Sequence, residues 1–537
     1  MEKWFISKKK ADFDQIGKKF GIDPVVARLI RNRDITDEEE IRRYLSGTLS
    51  DISDPAAMKG VKEACILLQE ALRSGTKIRI ISDYDVDGVI SNYILWRSLK
   101  NLGGTVDYTI PDRIQDGYGM NTDMVLQAKK DGIGLIITCD NGIAAFEPVA
   151  EAKKLGMNVI VTDHHEVPYQ MEDGRKQEIL PPADAVVDPK QKGCEYPYKQ
   201  LCGAGVAFQL MSALYRAEGR EEKELEPLLC FLAIATVCDV VDLTKENRIF
   251  VREGLKRIGF TENIGLQALL KAHKLEDSEV NSYHLGFVIG PCINASGRLE
   301  SEKVLKLFLE TDPDEALETA QELKELNDQR KGMTNDGVRD ALEQISRNGY
   351  DRDKILVIYL PDCHESIAGI IAGRVKDKLH KPVFVLTKGR EGIKGSGRSI
   401  ETYHMFEAMN EVKDVFTRFG GHAMAAGCSL LDESKVDEFR LRINECCTLG
   451  QEDFIKKVTI DVDMPVDYIT MGLVRQMAVL EPFGKENKRP LFAHRKLFIE
   501  RIQVFGDNRN VIRLSLQSDR GTRMTGMIFE EEESFRQ

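Results

Sequence analysis

Between Lys77 and Val187 the sequence repeats one phrase, a short β-rich run followed by more mixed text. The runs are KIRII, LIIT, NVIVT and DAVV, with helical segments after the first two. This is the rhythm of βαβ units on a parallel sheet buried on both faces, and it predicts an α/β fold. In open sheets of that class, ligands bind in the crevice beyond the carboxyl ends of the strands. The first three runs stop at acidic or histidine-bearing text: SDYDVDG, TCDNG and TDHHE.

The first of these is the most demanding. ISDYDVDGVIS sets Asp83, Asp85 and Asp87 directly after the apolar run. Their mutual repulsion opposes folding unless cations hold them together, so a divalent-metal site is the natural resolution. In an extended segment Asp85 and Asp87 share a face while Val86 points away. An acidic turn closing a strand, or a calcium loop, carries the same pattern. Asp140 follows LIIT, Asp163, His164 and His165 follow NVIVT, and Asp239 ends the apolar run FLAIATVC. Singly, each reads better as a strand-end cap or a satisfied core histidine than as a ligand. Together, several carboxylates and an imidazole form an O/N ligand set suited to Mn²⁺ or Mg²⁺, and the histidine tilts the choice towards Mn²⁺. Cys139 and Cys238, each beside a candidate ligand, read as packing residues.

At 537 residues the chain is too long for one core. Asp312, Pro313 and Glu315 read as the N-cap, first-turn proline and capping-box acid of a connecting helix whose apolar face is Ala316, Ala320, Leu323 and Leu326. KILVIYL and PVFVLT, separated by amphipathic IAGIIAGRVKDKL, predict a second, smaller α/β domain. Beyond about Ile455, KVTIDVDM, RKLFIERIQVF and NVIRLSLQ with turns GDNRN and SDRGT predict a small β-domain, which MIFEEEESFRQ does not close. The net charge of −12 weighs little against a polyanionic partner, because metal-binding carboxylates count in full and a groove can be locally basic. The 11 cysteines include no C-x-x-C pair, so neither a disulfide framework nor a zinc site is expected. No apolar run could span a bilayer, and MEKWFISKKKADFD is not a secretory signal, so a cytoplasmic protein without a membrane partner is expected. There is no GxSxG elbow and no GxxxxGK[ST] loop to support serine acyl transfer or a P-loop NTPase.

DYDVDG, TCDNGI, TDHHE and ATVCDVVDL, in this order and spacing, resemble the motifs of the DHH phosphoesterase superfamily, and within it the RecJ family of single-strand-specific exonucleases. VVDPKQKG, LCGAGVAF, NASGRL, HESIAGIIAGRV, KGSGRS and FGGHAMAAG extend the likeness over most of the chain. The resemblance implies an N-terminal extension (1–50), a DHH catalytic domain on the parallel sheet (51–305), a long connecting helix (306–350), a smaller α/β DHHA1 substrate domain (351–450) and a C-terminal OB-like nucleic-acid-binding domain (455–537), reduced or truncated. It makes Asp85, Asp87, Asp140, His164 and Asp239 the ligands of two divalent cations, Mn²⁺ preferred and Mg²⁺ accepted, with Asp140 bridging. Ile81 stands where relatives with HxxxDxD carry a histidine, so Asp83 takes over part of that catalytic role. His165 lies beside the metals without being a ligand, within reach of the scissile phosphate.

For the substrate, the resemblance assigns Ser396, Arg398 and Arg113 to a pocket for a 5′-phosphate, Tyr118 and Arg298 to strand contacts near the site, and His422 to the DHHA1 signature that closes the channel. A solvated arginine or a structural glycine turn is the plain alternative for each. Lys485, Lys488, Arg489, Arg495, Lys496, Arg501, Arg509 and Arg513, interleaved with Phe483, Phe492, Phe498 and Phe505, suit a single strand, whose bases stack and phosphates pair, although the phenylalanines suit a core equally well. The implied activity is two-metal 5′-to-3′ hydrolysis of single-stranded DNA to mononucleotides in recombination and repair. A single-strand-binding protein and a helicase are the implied partners of a monomeric enzyme. Two rivals remain. A DHH phosphodiesterase of short oligonucleotides or cyclic dinucleotides would share only the two catalytic domains. A non-catalytic scaffold similar to RecJ would have lost metal ligands, and here every candidate ligand is present.

Overall fold

The computed structural model describes residues 2–112, 116–172, 174–296, 302–389, 392–506 and 509–536. After strand β1 (Glu2–Ile6), the repeating phrase forms β2 (Ile78–Ser82), β3 (Val106–Thr109), β4 (Leu135–Cys139) and β5 (Asn158–Thr162), followed by an exposed hairpin, β6 (Tyr169–Glu172) and β7 (Arg175–Glu178), and then β8 (Ala185–Val187). The sheet order is β3-β2-β4-β5-β8, all parallel. Every residue of β2 and β4 is buried, as expected of strands covered on both faces. Alternation divides them: Ile78, Ile80, Leu135, Ile137 and Cys139 join one core, while Ile81 and Ile136 join the other with Val125, Val149 and Val161. Cys139 is a packing residue, as expected.

The chain runs from β2 to β3 on one side and then to β4 on the other, so the strand order reverses between β2 and β4. Such a switch point leaves an open crevice at the strand ends. The apolar run before Asp239 is a helix, Leu229–Cys238, not a strand, and it is packed into the larger core.

The connecting helix spans Pro313–Asn348 and is capped by the Asp312 carboxylate, which accepts from the amides of Asp314 and Glu315. Ala316, Ala320 and Leu323 belong to the catalytic core, whereas Ala341 and Ile345 belong to the next one. One helix therefore serves two domains. The second domain carries β9 (Leu356–Tyr359), β10 (Val383–Gly389), β11 (Gly392–Arg398), β12 (Arg418–Gly421) and β13 (Ala425–Leu430) in the order β12-β13-β11-β10-β9, with the helix Glu365–Leu379 against it. KGSGRS falls in β11, inside the sheet, not in a surface turn.

The last part contains β14 (Lys456–Ile460), β15 (Val462–Asp463), β16 (Phe492–Ala493) and an antiparallel sheet of β17 (Phe498–Phe505), β18 (Val511–Gln517) and β19 (Arg523–Ile528). It meets the first residues of the chain. β1 pairs in parallel with β14, with Glu2 opposite Lys456, and Val26, Leu29, Ile30, Ile41 and Tyr44 share a core with Val462, Met464, Leu473 and Leu480. The N-terminal segment is thus part of a composite unit and not a free extension. Arg248 secures it from the catalytic domain. Only 2% exposed, it donates to the carbonyls of Tyr44, Val479, Leu480 and Pro482, and its guanidinium lies 4.0 Å from the Tyr44 ring centroid. Burial lowers its pKa to about 10.

Candidate metal centre

The acidic motif after β2 is compact because of one glycine. A Cβ on Gly88 would lie 2.4 Å from the Asp83 carbonyl oxygen, so no larger residue fits there. Asp85 is the N-cap of the helix Val86–Asn101 and accepts from the Gly88 amide at 3.0 Å. Asp87 lies in the first helical turn. The two carboxylates therefore converge through a helix cap, which corrects the expectation of an extended segment. Asp87 in turn caps a second helix, Gly203–Ala217, accepting from the amides of Gly203 at 2.5 Å and Ala204 at 2.9 Å. These amides and the helix dipole favour an anion at that spot.

The text CDNG after β4 is equally local in origin. Asp140 has φ +59°, a left-handed conformation that Asp tolerates better than most residues. The Asn141 side-chain Nδ2 donates to the carbonyls of Ile81 and Cys139, tying the ends of β2 and β4 together. Gly142 has φ +114°, and a Cβ there would strike Thr138 Oγ1 at 2.3 Å.

After β5, Asp163 accepts from the amides of Ile143, His164 and His165 and faces His165 Nδ1 at 2.7 Å. The other nitrogen of His165 is 3.3 Å from the Tyr118 hydroxyl, which donates to the Asp140 carbonyl. His164 Nε2 points into the crevice, 3.1 Å from Asp140 Oδ1 and 3.7 Å from both Asp87 Oδ2 and Asp239 Oδ2. Two separate donor groups result, Asp87 with His164 and Asp239, and Asp83 with Asp85 and Asp140, each with its ligand atoms within 4.8 Å of one another. A third, Asp140 with His164 and His165, lies between them.

Electrostatics mark this cluster as incomplete. Asp83 Oδ1, Asp140 Oδ1, His164 Nε2 and Asp239 Oδ2 are buried with no hydrogen-bond partner among the described residues. Burial first, and neighbouring carboxylates second, raise Asp83 to about 7, Asp87 to about 6 and Asp239 to about 8, and hold Asp140 well above the carboxylate range. Burial and the charge of His165 lower His164 to about 3, so its close contacts are those of a neutral ring with a lone pair to give. Unpaired oxygens around a neutral imidazole, with protons held only for want of positive charge, fit divalent cations.

Three comparisons bear on this site. Models described as the DHH family, N-terminal domain, the DHHA1 domain and the RecJ OB domain match residues 77–236, 352–449 and 460–537. The single-stranded-DNA-specific exonuclease RecJ of Bacillus subtilis is 36% identical over 96% of this chain, which spans 64% of that relative's length. The RecJ of Salmonella typhimurium is 35% identical, covering 88% of this chain and 83% of its own. The chain belongs to the RecJ family. A crystal structure of Thermus thermophilus RecJ in complex with Mn²⁺ superposes with a TM-score of 0.81 at 29% identity, covering 98% of this chain and 74% of that one. The same protein with Mg²⁺ gives a TM-score of 0.75 at 28% identity, covering 99% and 73%.

In this RecJ family member all of the expected metal ligands, with Asp83 and His165, meet in one crevice. Arg113 and Arg298 lie outside the described residues. Tyr118 sits at the rim, 56% exposed. Ser396 and Arg398 are in the second domain on β11, with Arg398 Nη1 3.2 Å from Ser396 Oγ. His422 occupies the exposed β12–β13 turn, its amide donating to Ala425, the residue opposite Arg398 in the ladder. Of the four phenylalanines interleaved with those basic residues, Phe483 and Phe492 pack on the composite core, whereas Phe498 and Phe505 are exposed. Two participants escaped notice in the sequence, and the role of a third was not readable from it. Gly203 and Ala204 act through their backbone, and only the small residues of CGAG hint at it. Asp163 reads as one more acid of the TDHHE motif, but it is the residue that orients His165.

Proposed function

We infer that this chain is a metal-dependent exonuclease that hydrolyses single-stranded DNA from the 5′ end to mononucleotides, with two cations and Mn²⁺ preferred. The four buried, unpartnered donor atoms that face one another across the crevice carry this reading. Asp87, His164 and Asp239 would hold one cation, Asp83 and Asp85 the other, and Asp140 would touch both. Bound cations supply an activated water and neutralise charge on the phosphate. His165 is the chain's own cation here: burial opposes it, but the Asp163 hydrogen bond and charge raise it to about 9. Nδ1 donates to Asp163, which leaves the Nε2 side to reach a non-bridging phosphate oxygen once Tyr118 turns to the strand. Arg398, half-buried and without a carboxylate partner among the described residues, suits the terminal 5′-phosphate alongside Ser396. Arg113, Arg298 and His422 complete the proposed strand contacts. A single-strand-binding protein and a helicase are the proposed partners, in the cytoplasm.

The test is Mn²⁺-dependent shortening of a 3′-labelled DNA single strand, with and without a 5′-phosphate, beside Asp140→Ala. Mononucleotide release from the 5′ end, helped by the phosphate and abolished in the variant, is expected. Cleavage confined to RNA di- or trinucleotides would overturn the reading.

A further inference from the structure

Many guanidinium groups in this protein meet carboxylates, among them Arg42 with Glu39 and Asp51, Arg79 with Asp107 and Asp131, Arg257 with Glu226 and Glu253, and Arg442 with Asp414. Where the connecting helix crosses the helix Glu365–Leu379, three arginines meet none among the described residues. Arg330 donates to the side-chain carbonyl of Asn327 at 2.8 Å. Arg374 reaches across the crossing to the side-chain carbonyl of Asn335. Among the described residues Arg398 donates to Ser396 Oγ and the Gly397 carbonyl.

Small residues make room for this arrangement. A Cβ on Gly337 would strike Ile371 at 2.4 Å, so the two helices approach closely there. A Cβ on Gly369 would lie 2.8 Å from Arg398 Nη2, and Arg398 Cγ passes 4.0 Å from the Cβ position of Gly373, the neighbour of Arg374. Asn327 is fully buried in mid-helix, and its Nδ2 and the Nε of Arg330 have no hydrogen-bond partner among the described residues. Burial, and then the charge of Arg374, lower the Arg330 pKa. Neutral amides orient these cations without cancelling them, and desolvated like charges are unfavourable until an anion arrives.

We propose that Arg330 and Arg374 form an anion clamp that extends the cationic surface of Arg398 and holds a further phosphate of the DNA single strand. This rests on the exonuclease reading above. It makes the helix crossing part of the substrate grip and separates grip from cleavage.

The test is fluorescence anisotropy of a labelled, 5′-phosphorylated oligothymidylate with EDTA present, so that no cleavage occurs, across a salt series. Loss of a charge-assisted hydrogen bond predicts about tenfold weaker binding for Arg330→Gln and for Arg374→Gln. The slope of log affinity against log salt should fall by about 0.7 for each lost phosphate contact, while Arg374→Lys keeps it. Tm should stay near the wild-type value. A lower Tm with an unchanged salt slope would make the crossing a brace and overturn the clamp. Failure of the unmutated protein to bind any single strand would sink the exonuclease reading and the clamp together, whereas normal wild-type binding with unaltered variants would sink the clamp alone.

Discussion

At the scale of single residues the protein stores charge that it cannot balance alone, and pH exposes this. Asp83 and Asp239 titrate at about 7 and about 8, and His165 at about 9. Unfolded carboxyls titrate near 4 and histidine near 6.5. The folded state therefore binds more protons than the unfolded one between about pH 6.5 and 9, and the metal-free protein must lose stability as pH rises through that window. Below 6.5 His164, depressed to about 3, acts in the opposite direction, but the raised carboxyls outnumber it, so the same trend begins at about pH 4 and 6.5 to 9 is the part of it in which His164 is silent. Thermal unfolding of chelated protein should show Tm falling from pH 6.5 to 9, with Mn²⁺ cancelling most of the fall. An unchanged Tm would mean that the carboxylates are not in fact starved of positive charge. For chemistry, His165→Gln should lower kcat on single-stranded DNA about 100-fold while leaving Mn²⁺ affinity within a few fold, as expected for an electrostatic donor that is not a ligand. The convergence of the candidate ligands was legible in the sequence because the βαβ rhythm carries all but Asp239 to one sheet edge. Asp163 was not, since a carboxylate that orients a histidine and one that binds a cation look alike until their hydrogen bonds are known.

At the scale of elements, helix N-termini do much of the positioning. Asp87 is held by the first amides of Gly203–Ala217, and a Cβ on Gly203 would stand 2.7 Å from the Cβ of Asp140. Gly203→Ala should therefore move Asp87 and Asp140 apart, lowering activity about 100-fold and weakening Mn²⁺ binding. Gly205→Ala, whose Cβ would meet only side-chain atoms of Leu201 at 3.3 Å, is the comparison expected to keep both. Equal losses in the two variants would reduce the effect to general packing. The elements were readable to different degrees. The capped connecting helix was clear because Asp312 and Pro313 announce its start and its apolar spacing persists. KGSGRS looked like a turn because glycines usually mark turns; here Gly395 and Gly397 are strand residues pressed against Leu386, Cys428, Met405 and Phe384. The convergence of Asp85 and Asp87 was foreseen for the wrong reason, since both strand alternation and a helix cap bring such a pair together.

At the scale of the whole molecule, the composite unit of first and last segments was invisible to any local pattern, because β1 and β14 pair from opposite ends of the chain. Arg248 is its fastener. Arg248→Met would leave the carbonyls of Tyr44, Val479, Leu480 and Pro482 without this donor, a loss of about 3 kcal/mol or more. Because the buried apolar residues form several distinct cores, the effect should appear as an early unfolding step and faster proteolysis of the N-terminal segment, with the metal-dependent transition retained. Simultaneous loss of both transitions would show instead that the cores are one cooperative unit. The pairing of β1 with β14 also imposes an order on synthesis. Residues 77–239 can assemble their sheet as they emerge from the ribosome, but the first strand must wait for Lys456–Ile460 to be translated before it finds its neighbour. Until then Val26, Leu29 and Ile30 on the first helices lack the partners Val462, Met464, Leu473 and Leu480 that cover them, so the nascent chain carries an uncovered apolar face through most of its synthesis.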